Sequence, residues 1–191
     1  MPESNYRRAG TLKPIPACYW VLPGRLLAGE YPGAKDGADA HRRLHHFLAA
    51  GITLFLDLTR EWESGLVPYE LALREEATAV QRAAELGLAV EYRRMTIADL
   101  DVPSVPFMRQ ILDTLDEALQ AGHVVYVHCW GGIGRTGTVV GCYLVRHGFT
   151  GEEALQKIAC WVAGTPKAHR PSPETAEQWR MVLDWSKSVQ I

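Results

Sequence analysis

Residues 123–148 constrain the fold of this sequence more than any other stretch. The run HVVYVH at 123–128 is short and apolar, which is typical of a buried strand. From Thr136 onward, TGTVVGCYLVRHG predicts an apolar helix that ends at Gly148. Between the two stands CWGGIGR, a turn rich in glycine. The segment therefore predicts a buried strand that leads through a tight turn into a packed helix.

Strands and helices alternate along the rest of the chain. A hairpin is predicted over 19–33, where short apolar pairs alternate with Pro-Gly and Gly turn signals. The remaining predicted elements are a helix at 38–50, a strand at 52–58, a helix at 70–86, a strand at 88–95, a helix from Ser104 to Gly122, and helices at 151–163 and 173–189, the last with Ser172 as its cap and Pro173 at its first helical position. This alternation indicates an α/β fold, a single domain whose central, mostly parallel twisted sheet is flanked by helices. The glycine-rich turn then lies between a buried strand and a helix.

The length and charge of the chain limit its organisation and its partners. With 191 residues the chain suits one domain with a substantial core. We expect residues 1–18, which are polar and contain prolines, to form an extended arm on the surface, and residues 19–191 to form the domain. The formal net charge of -2 favours neither a nucleic acid nor an anionic membrane as a partner. We expect a monomer.

The four cysteines are spread along the chain as Cys18, Cys129, Cys142 and Cys160. No pair has the Cys-x-x-Cys spacing of a redox or zinc site, so a reducing compartment is the simpler expectation. No segment is apolar for long enough to cross a bilayer, and a cytoplasmic location is the default expectation. Cys142 and Cys160 are interpreted as helix core residues, and a regulatory disulfide to Cys129 is left open.

Cys129 and Arg135 stand at the two ends of the glycine-rich turn. Gly131, Gly132 and Gly134 allow backbone torsions that other residues resist, so successive N–H groups can converge on one point at the start of the helix. Such a ring of donors is an anion site. The helix dipole and the guanidinium of Arg135 both favour the thiolate of Cys129, and a guanidinium can hold two phosphate oxygens at once. A nucleophile and a phosphate site are thus predicted at the same place.

This turn belongs to a longer pattern that resembles a known superfamily. HCWGGIGRTG, residues 128–137, resembles the HC-x5-R-[S/T] signature of the cysteine-dependent protein tyrosine and dual-specificity phosphatases. VLPGRLLAG at 21–29 and RPSPETAEQ at 170–178 resemble segments of the small atypical dual-specificity phosphatases. With the order of the strands, the resemblance covers most of residues 19–185. It implies the fold of that superfamily and a phosphatase that needs no cofactor and no metal ion.

The resemblance also implies a role for each residue of the signature. Cys129 would be the nucleophile that forms a phosphocysteine, and Arg135 would bind the phosphate and the transition state. The residues between them would contribute main-chain donors to the phosphate: Trp130, Gly131, Gly132, Ile133 and Gly134. Thr136 would hydrogen-bond the thiolate and help it leave, and His128 would orient the loop. A histidine that is merely satisfied at the end of a strand is the other interpretation of His128.

A cysteine phosphatase of this kind also needs a proton donor for the leaving oxygen. A carboxylic acid on a nearby loop is the usual donor. In the family the acid lies on a loop that follows a strand and precedes a helix, and YRRMTIADLDVPS at 92–104 resembles that loop. Its position favours Asp99 as the general acid, with Asp101 as the alternative.

Charged residues elsewhere allow two interpretations each. His41 and His45 are one helical turn apart and could bind a metal ion, but without a Glu or Cys at a suitable spacing a solvated basic helix face is favoured. Arg60, Glu61 and Glu63 follow a predicted strand, where substrate contact and plain surface charge are equally open.

Two polar or aromatic residues of the resembling segments are also ambiguous. Trp130 could stack beneath a substrate ring, but packing is favoured. Gln178 could position the hydrolytic water, but a polar residue on a helix surface is favoured. For each residue, the burial of its side chain in the fold distinguishes the two interpretations.

Several functions fit these residues, and one leads. The leading hypothesis is a protein tyrosine or dual-specificity phosphatase that acts through a phosphocysteine, with phosphotyrosine proteins as the main substrates and phosphoserine or phosphothreonine as further ones. A phosphatase of a non-protein substrate, such as an inositol phosphate, a phosphoinositide or a nucleotide, ranks next, since the loop interior WGGIG carries no lysine. A phosphate-binding pseudophosphatase and a sulfurtransferase are disfavoured, the first by the complete set of Cys129, Arg135 and an acid.

Overall fold

A five-stranded sheet lies at the centre of the computed structural model, which describes residues 12–79 and 89–188. The strands are β1 (Cys18–Leu22), β2 (Leu26–Gly29), β3 (Leu54–Asp57), β4 (Glu91–Arg94) and β5 (Val125–His128). Their order across the sheet is β1-β2-β5-β3-β4. β1 and β2 pair antiparallel as a hairpin at the edge, and the other three pairings are parallel. The prediction of an α/β domain with a mostly parallel sheet is confirmed.

Helices cover both faces of this sheet. The described helices are α1 (Gly37–Ala49), α2 (Glu70–Ala79), α3 (Val105–Gln120), α4 (Gly134–Arg146), α5 (Gly151–Ala163) and α6 (Ala176–Ser188). Side chains of a strand point alternately to opposite faces. Val125 and Val127 of β5 therefore join a hydrophobic cluster with α3, α4, α5 and α6, while Tyr126 joins a second cluster with α1 and α2. Burial on both faces explains why the first three residues of β5, Val125 to Val127, are all large and mainly apolar.

Local signals in the sequence fix several helix ends. The side chain of Ser104 accepts a hydrogen bond from the N–H of Phe107 at 3.4 Å and so caps α3, as predicted. Gly122 follows the helix with a φ of +90°, a conformation that favours glycine. Thr150 and Glu153 form a reciprocal capping box at the start of α5. These ends could be predicted because their causes lie within a few residues.

The start of α6 differs from the prediction. The helix begins after Thr175, whose Oγ1 accepts a hydrogen bond from the N–H of Gln178 at 3.3 Å. Pro173 therefore precedes the helix and is not its first residue. Ser172 is not its cap, because its hydroxyl donates instead to the carbonyl of Ile133 at 2.8 Å. The hydroxyl of Ser172 thus bonds the distant loop that contains Ile133 and does not cap the helix that follows it.

Four predicted segments lie partly outside the described residues, and two of these, the strand over 88–95 and the helix over 173–189, lose only residue 88 and residue 189. The helix predicted over 70–86 is described only to its residue 79, and residues 80–88 are outside. Of the predicted arm, residues 1–11 are outside, while Ile15 is buried in the cluster with α1 and α2. The arm stays a prediction for those first residues. Among the helices that are described, none combines the length and the apolar character needed to span a membrane.

Candidate active site

The loop between β5 and α4 carries Cys129 and leads to Arg135 in the first turn of the helix. α4 starts earlier than predicted, so that Arg135 belongs to the helix itself. Both side chains are almost fully buried by the surrounding protein, and both line a cavity of about 230 Å³. Its remaining lining residues come from this loop and two others: Asp99, Leu100, Trp130, Gly131, Ile133, Gly134, Arg170 and Glu174. The structure thus brings together the residues at the two ends of the glycine-rich turn.

The N-terminus of α4 forms one wall of this cavity. Its capping residue, Ile133, has no side chain that could accept a hydrogen bond from the first turn. The N–H groups at the start of an α-helix have no acceptor within the helix, so those of Gly134, Arg135 and Thr136 stay available to a ligand. The positive end of the helix dipole lies at the same point. A phosphate-sized anion is the ligand that such a wall favours.

Gly132 lets the loop lie against the end of β2. Its φ is +71°, and a Cβ at this position would lie 2.3 Å from the carbonyl carbon of Gly29 and 2.5 Å from the nitrogen of Glu30. No residue other than glycine fits such an approach. Next to it, the N–H of Tyr31 donates to the carbonyl of Trp130 at 3.0 Å. The hairpin therefore supports the loop directly, although it lies far away in the sequence.

The guanidinium of Arg135 is held by two carboxylates and one carbonyl. Nη1 donates to Oε2 of Glu63 at 2.8 Å and to the carbonyl of Ile97 at 3.1 Å. Nη2 donates to Oε1 of Glu63 at 2.6 Å and pairs with Oδ1 of Asp99 at 2.8 Å. Both hydrogens of Nη1 and one hydrogen of Nη2 are thereby hydrogen-bonded, while Asp99 forms an ion pair with Nη2, so the Nε–H and the second Nη2–H are the donors that a ligand can use.

These contacts keep Arg135 charged. Burial opposes the charge, but the hydrogen bonds to Glu63 and the nearby sulfur of Cys129 outweigh it, so the pKa of Arg135 is raised above its usual value. The paired carboxylate of Glu63 also fixes the plane of the guanidinium, because a bidentate pair allows one orientation. The cavity therefore holds a permanent cation in a set position.

The structure separates the two candidate acids. Asp99 lines the cavity with its carboxylate on Arg135. Asp101 turns its carboxylate to the N–H of Val102 at 2.8 Å, and its carbonyl accepts from Nε2 of Gln178 at 3.1 Å. Leu100 between them has a φ of +61°, which sends the two side chains in different directions. Of the two candidates, Asp99 is the one that lines the cavity, and its role as the acid stays a prediction.

His128 lies beneath the loop and is completely buried. Burial lowers its pKa below the usual value, so the ring is neutral. Its Nδ1 is 3.2 Å from the carbonyl of Cys129, and its Nε2 is 2.6 Å from the hydroxyl of Tyr69. A neutral ring satisfies both contacts if Nδ1–H donates to the carbonyl and Tyr69 donates to Nε2. The backbone of the nucleophile is thereby tied to the core.

Thr136 carries a hydroxyl that has no hydrogen-bond partner among the described residues. The residue is fully buried in the first turn of α4. Buried hydroxyls are normally paired, so an unpaired one at this point is available to a group that enters the loop or to the sulfur. Its predicted contact with the thiolate stays a prediction.

Comparison with known proteins identifies the family. Residues 15–182 match the PTP-SAK family, described as "Swiss Army Knife protein, DSP-PTPase phosphatase domain". The chain belongs to the PTP-SAK phosphatase family. The resemblance to dual-specificity phosphatases inferred from the signature is therefore confirmed.

Curated relatives of this PTP-SAK domain are much longer proteins. It is 29% identical over 164 residues to the dual specificity protein phosphatase CDC14AB of Danio rerio, covering 84% of this chain and 25% of that protein. It is 33% identical over 135 residues to the dual specificity protein phosphatase CDC14B of Mus musculus, covering 67% of this chain and 24% of that protein. The chain thus spans about a quarter of the length of these relatives.

Solved structures share the fold of the PTP-SAK domain over nearly its whole length. Tk-PTP in its active form is 25% identical with a TM-score of 0.67, covering 92% of this chain and 99% of that one. PTPMT1 in complex with PI(5)P is 20% identical with a TM-score of 0.65, covering 90% of this chain and 96% of that one. At 20% identity, the similarity to PTPMT1 concerns the fold alone.

Sequence reasoning missed or left open several residues of the PTP-SAK site. For Glu63, the sequence left substrate contact and plain surface charge equally open. In the structure its carboxylate forms the buried ion pair with Arg135. Arg60 and Glu61 are exposed. Arg170, which pairs with Glu174 at the cavity wall, was not predicted at all. The only signal for Arg170 was its place at the start of the resembling segment 170–178.

Burial corrects two interpretations beside the catalytic loop. Trp130 is 49% exposed, so the favoured packing role is wrong. Gln178 is fully buried, so it is not a polar residue on a helix surface. Its amide oxygen accepts from the N–H of Glu174 at 2.9 Å while its Nε2 holds Asp101, which joins the segment before α6 to the acid loop. A role in positioning water stays a prediction.

Two further interpretations outside the cavity are corrected. Cys142 is buried as expected, but Cys160 is exposed and is not a core residue. His41 and His45 do not form a purely solvated face, because both ring Nδ1 atoms contact the carboxylate of Glu76, at 3.2 Å and 2.8 Å. Glu76 lies on a different helix, so spacing along the sequence could not reveal it.

Proposed function

We propose that this PTP-SAK domain hydrolyses phosphate monoesters through a phosphocysteine formed at Cys129. The observation that carries the proposal is that one cavity is lined by Cys129, by Arg135 and by the start of α4. A phosphate dianion that enters this cavity meets helix N–H groups on one side and a permanent cation on another. Its phosphorus then faces the sulfur. No cofactor takes part in the proposed reaction.

In the first step the thiolate of Cys129 attacks phosphorus and the bond from phosphorus to the ester oxygen breaks. The leaving oxygen takes a proton from Asp99, so that an alcohol or phenol departs. Arg135 and the N–H groups of the loop stabilise the charge that spreads over the three remaining oxygens. The product of this step is the phosphocysteine.

In the second step water attacks the phosphorus of the phosphocysteine, and the sulfur leaves as the thiolate. Asp99, now a carboxylate, takes the proton of the water. The unpaired hydroxyl of Thr136 donates to the departing sulfur, and the hydrogen bond from His128 to the carbonyl of Cys129 keeps the loop in place. Inorganic phosphate and the original thiolate result.

Substrate binding also explains how Asp99 becomes free to act. Without phosphate it is held on Nη2 of Arg135. A phosphate that binds the guanidinium through two N–H groups can use Nε–H as the first donor. The second donor must come from Nη2, because its ion pair with Asp99 is more exposed than the pair between Arg135 and Glu63. The incoming phosphate therefore displaces the carboxylate of Asp99, which takes up a proton from solvent once it has left the guanidinium and then stands as the acid beside the leaving oxygen.

Phosphotyrosine proteins are the proposed main substrates, with phosphoserine and phosphothreonine proteins as further ones. Phosphatases of this family act on phosphorylated substrates, and relatives named above are dual specificity protein phosphatases. Residues 130–134 carry no lysine, which makes a highly charged inositol phosphate the less favoured substrate.

The test is hydrolysis of para-nitrophenyl phosphate by the wild type and by Cys129→Ser in the presence of a metal chelator. We expect the wild type to be active and Cys129→Ser to be inactive, because a hydroxyl at this position is a far weaker nucleophile than a thiolate. Cys160→Ser, which changes an exposed cysteine away from the cavity, is the matched control and should keep full activity. An active Cys129→Ser variant would reject the nucleophile, loss of activity to the chelator would reject the cofactor-free mechanism, and an inactive wild type would favour a pseudophosphatase.

A further inference from the structure

A second cavity adjoins the catalytic one at Trp130. We call it the flanking cavity; it has a volume of about 300 Å³. Its lining residues are Glu30, Tyr31, Gly33, Ala34, Lys35, Arg43, Gly65, Leu66, Val67 and Trp130. Among the described residues Trp130 alone lines both cavities. Because its side chain is half-exposed, a substrate seated on Cys129 that extends towards the flanking cavity must pass over it.

The distance across Trp130 suits neighbouring residues of a peptide. In an extended chain, a residue one or two positions from the phosphorylated one is displaced by roughly 3–7 Å. That displacement is comparable to the width of an aromatic side chain. The flanking cavity is therefore within reach of the residues next to the phosphorylated one, whereas a small ester such as para-nitrophenyl phosphate does not extend that far.

The charged groups of the flanking cavity leave an excess of positive charge. Its single carboxylate, Glu30, is paired with Nη2 of Arg43 at 3.1 Å and with Nζ of Lys167 at 3.3 Å. Nε of Arg43 is buried and has no hydrogen-bond partner in the described part of the chain. Lys35 lies exposed on the lining. Because Arg43 and Lys167 already neutralise Glu30, the charge of Lys35 is left over, and the charge of this cavity complements an anion.

The walls of the flanking cavity are preformed and partly apolar. The hydroxyl of Tyr31 donates to the carbonyl of Val67 at 2.9 Å, and Arg43 donates to the carbonyl of Tyr31 at 3.0 Å. Leu66 and Val67 add aliphatic surface. A ligand with a short aliphatic stem and an anionic end fits such walls, because the stem can cover the apolar surface while the charge reaches Lys35.

We propose that the flanking cavity binds an acidic side chain, aspartate or glutamate, one or two residues from the phosphorylated residue of a substrate protein. The proposal deepens the proposed function, since it rests on phosphate monoester hydrolysis at Cys129. It adds a specificity determinant, Lys35, that lies outside the signature. The cavity selects the sequence around the phosphorylated residue, and the catalytic cavity acts on the phosphate.

The test compares phosphotyrosine peptides that differ at one position. Neutral peptides receive a single Glu or Gln at each of the two positions before and after the phosphotyrosine, and kcat/KM is measured with the wild type and Lys35→Glu. At one of these positions the wild type should prefer Glu by about threefold, the scale of one exposed ion pair. Lys35→Glu should abolish or invert that preference and should instead favour Lys at the same position.

Two controls make the result specific. Arg42→Glu makes the same charge change nearby on α1, but Arg42 lines neither cavity and pairs with Asp39 at the surface, so it should keep the preference for Glu. Lys35→Glu should hydrolyse para-nitrophenyl phosphate as fast as the wild type does. This small ester does not reach the flanking cavity, so its hydrolysis tests catalysis at Cys129 alone.

Several outcomes would overturn the proposal while para-nitrophenyl phosphate is still hydrolysed. One is equal use of the Glu and Gln peptides by the wild type at every position. Another is an equal loss of the preference in Arg42→Glu and Lys35→Glu, which would indicate a general charge effect. A third is an effect of Lys35→Glu on an inositol bisphosphate but on none of the peptides, which would assign the cavity to a non-protein substrate.

Discussion

The guanidinium of Arg135 is held in place by groups that lie far from it along the chain. The signature predicted Cys129 and Arg135 as a pair because a strand, a tight turn and a helix place both within a few residues. Glu63 and Asp99, which complete the pair, come from loops after other strands. No local pattern in the sequence gives the distance between such loops. The nucleophile and its cation could thus be predicted from the sequence, whereas the partners of the cation could not.

Loss of Glu63 should destabilise the protein. Glu63→Ala leaves the buried guanidinium of Arg135 without its bidentate partner, and breaking a buried pair in this way costs about 3 kcal/mol of the free energy of unfolding. Urea unfolding measures the change. Glu61→Ala is the matched control, because Glu61 is exposed and its ion pair with Arg94 at 3.6 Å contributes under about 1 kcal/mol. Equal shifts in the two variants would contradict the structural role of Glu63.

Removal of the acid should affect poor leaving groups most. Asp99→Asn should lower kcat for a substrate with a poor leaving group, such as an alkyl phosphate, by roughly 10²–10⁴-fold, because the leaving oxygen then departs without a proton. A substrate with a good leaving group should be affected much less. The dependence of kcat on the pKa of the leaving group measures the difference.

Asp101→Asn provides the control for this prediction. The side chain of Asp101 contacts the N–H of Val102 and does not line the cavity, so its replacement should leave the leaving-group dependence as in the wild type. Equal losses in Asp99→Asn and Asp101→Asn would remove the assignment of the acid.

At the scale of elements, local causes were predictable and distant ones were not. α3 begins at Ser104 and is followed by Gly122 as predicted, because a cap and a glycine act on their own neighbours. The start of α6 was predicted wrongly, because Ser172 bonds the carbonyl of Ile133 in the catalytic loop. Strands were located correctly but are shorter than predicted, since pairing with neighbours, and not the apolar run itself, sets where a strand ends.

The contact between α1 and α2 should depend on pH. Hydrogen bonds from His45 and His41 lower the pKa of Glu76 below its usual value of 4.5, although partial burial opposes the shift. A carboxyl group with a lowered pKa stabilises the fold above its unfolded pKa, and that contribution is lost as the pH falls through the folded pKa. Glu76→Gln should therefore be less stable than the wild type at about pH 6, with a difference that shrinks below about pH 4.

Urea unfolding at several pH values checks the behaviour of Glu76→Gln. The matched control is Glu75→Gln on the same helix, since the carboxylate of Glu75 is more exposed and has one contact, with Nε2 of His41 at 3.3 Å. Its effect should be smaller at every pH. A destabilisation by Glu76→Gln that grows as the pH falls from about 6 to about 4 would contradict the prediction.

At the scale of the whole molecule, the sheet lies between two hydrophobic clusters, and the site lies at the carboxyl end of its central strand, β5. The fold class was predictable because strands buried on both faces alternate with helices along the chain. The family was predictable from the signature. The flanking cavity was not, because it is formed by the loop after β2, α1, the loop after β3 and Trp130 of the catalytic loop, which meet only in the folded molecule.

The accessibility of the three cysteines outside the catalytic cavity, Cys18, Cys142 and Cys160, should report the integrity of the whole fold. Burial raises the pKa of Cys18 to about 11 and that of Cys142 well above its usual value, so both stay protonated and unreactive while the protein is folded. Cys160 is exposed. In the native state at about pH 7 an alkylating reagent should therefore modify Cys160 readily, and Cys18 and Cys142 only when the molecule opens globally.

Mass spectrometry of partly modified protein checks this order. Modification of Cys18 and Cys142 should rise together with increasing urea and follow the unfolding curve, because both lie in the core. Modification of Cys142 in the native protein as fast as that of Cys160 would contradict the prediction.

The close approach of Gly132 to Gly29 sets the order in which the chain can become active. These residues are about a hundred positions apart, so their contact requires the closure of a very long loop of chain, a slow event in folding. The catalytic loop lacks its supporting contacts until the N-terminal hairpin has paired with β5. During refolding, recovery of phosphate binding should accordingly trail the formation of helices, and a ribosome-bound chain should stay inert until β5, the catalytic loop and α4 have emerged.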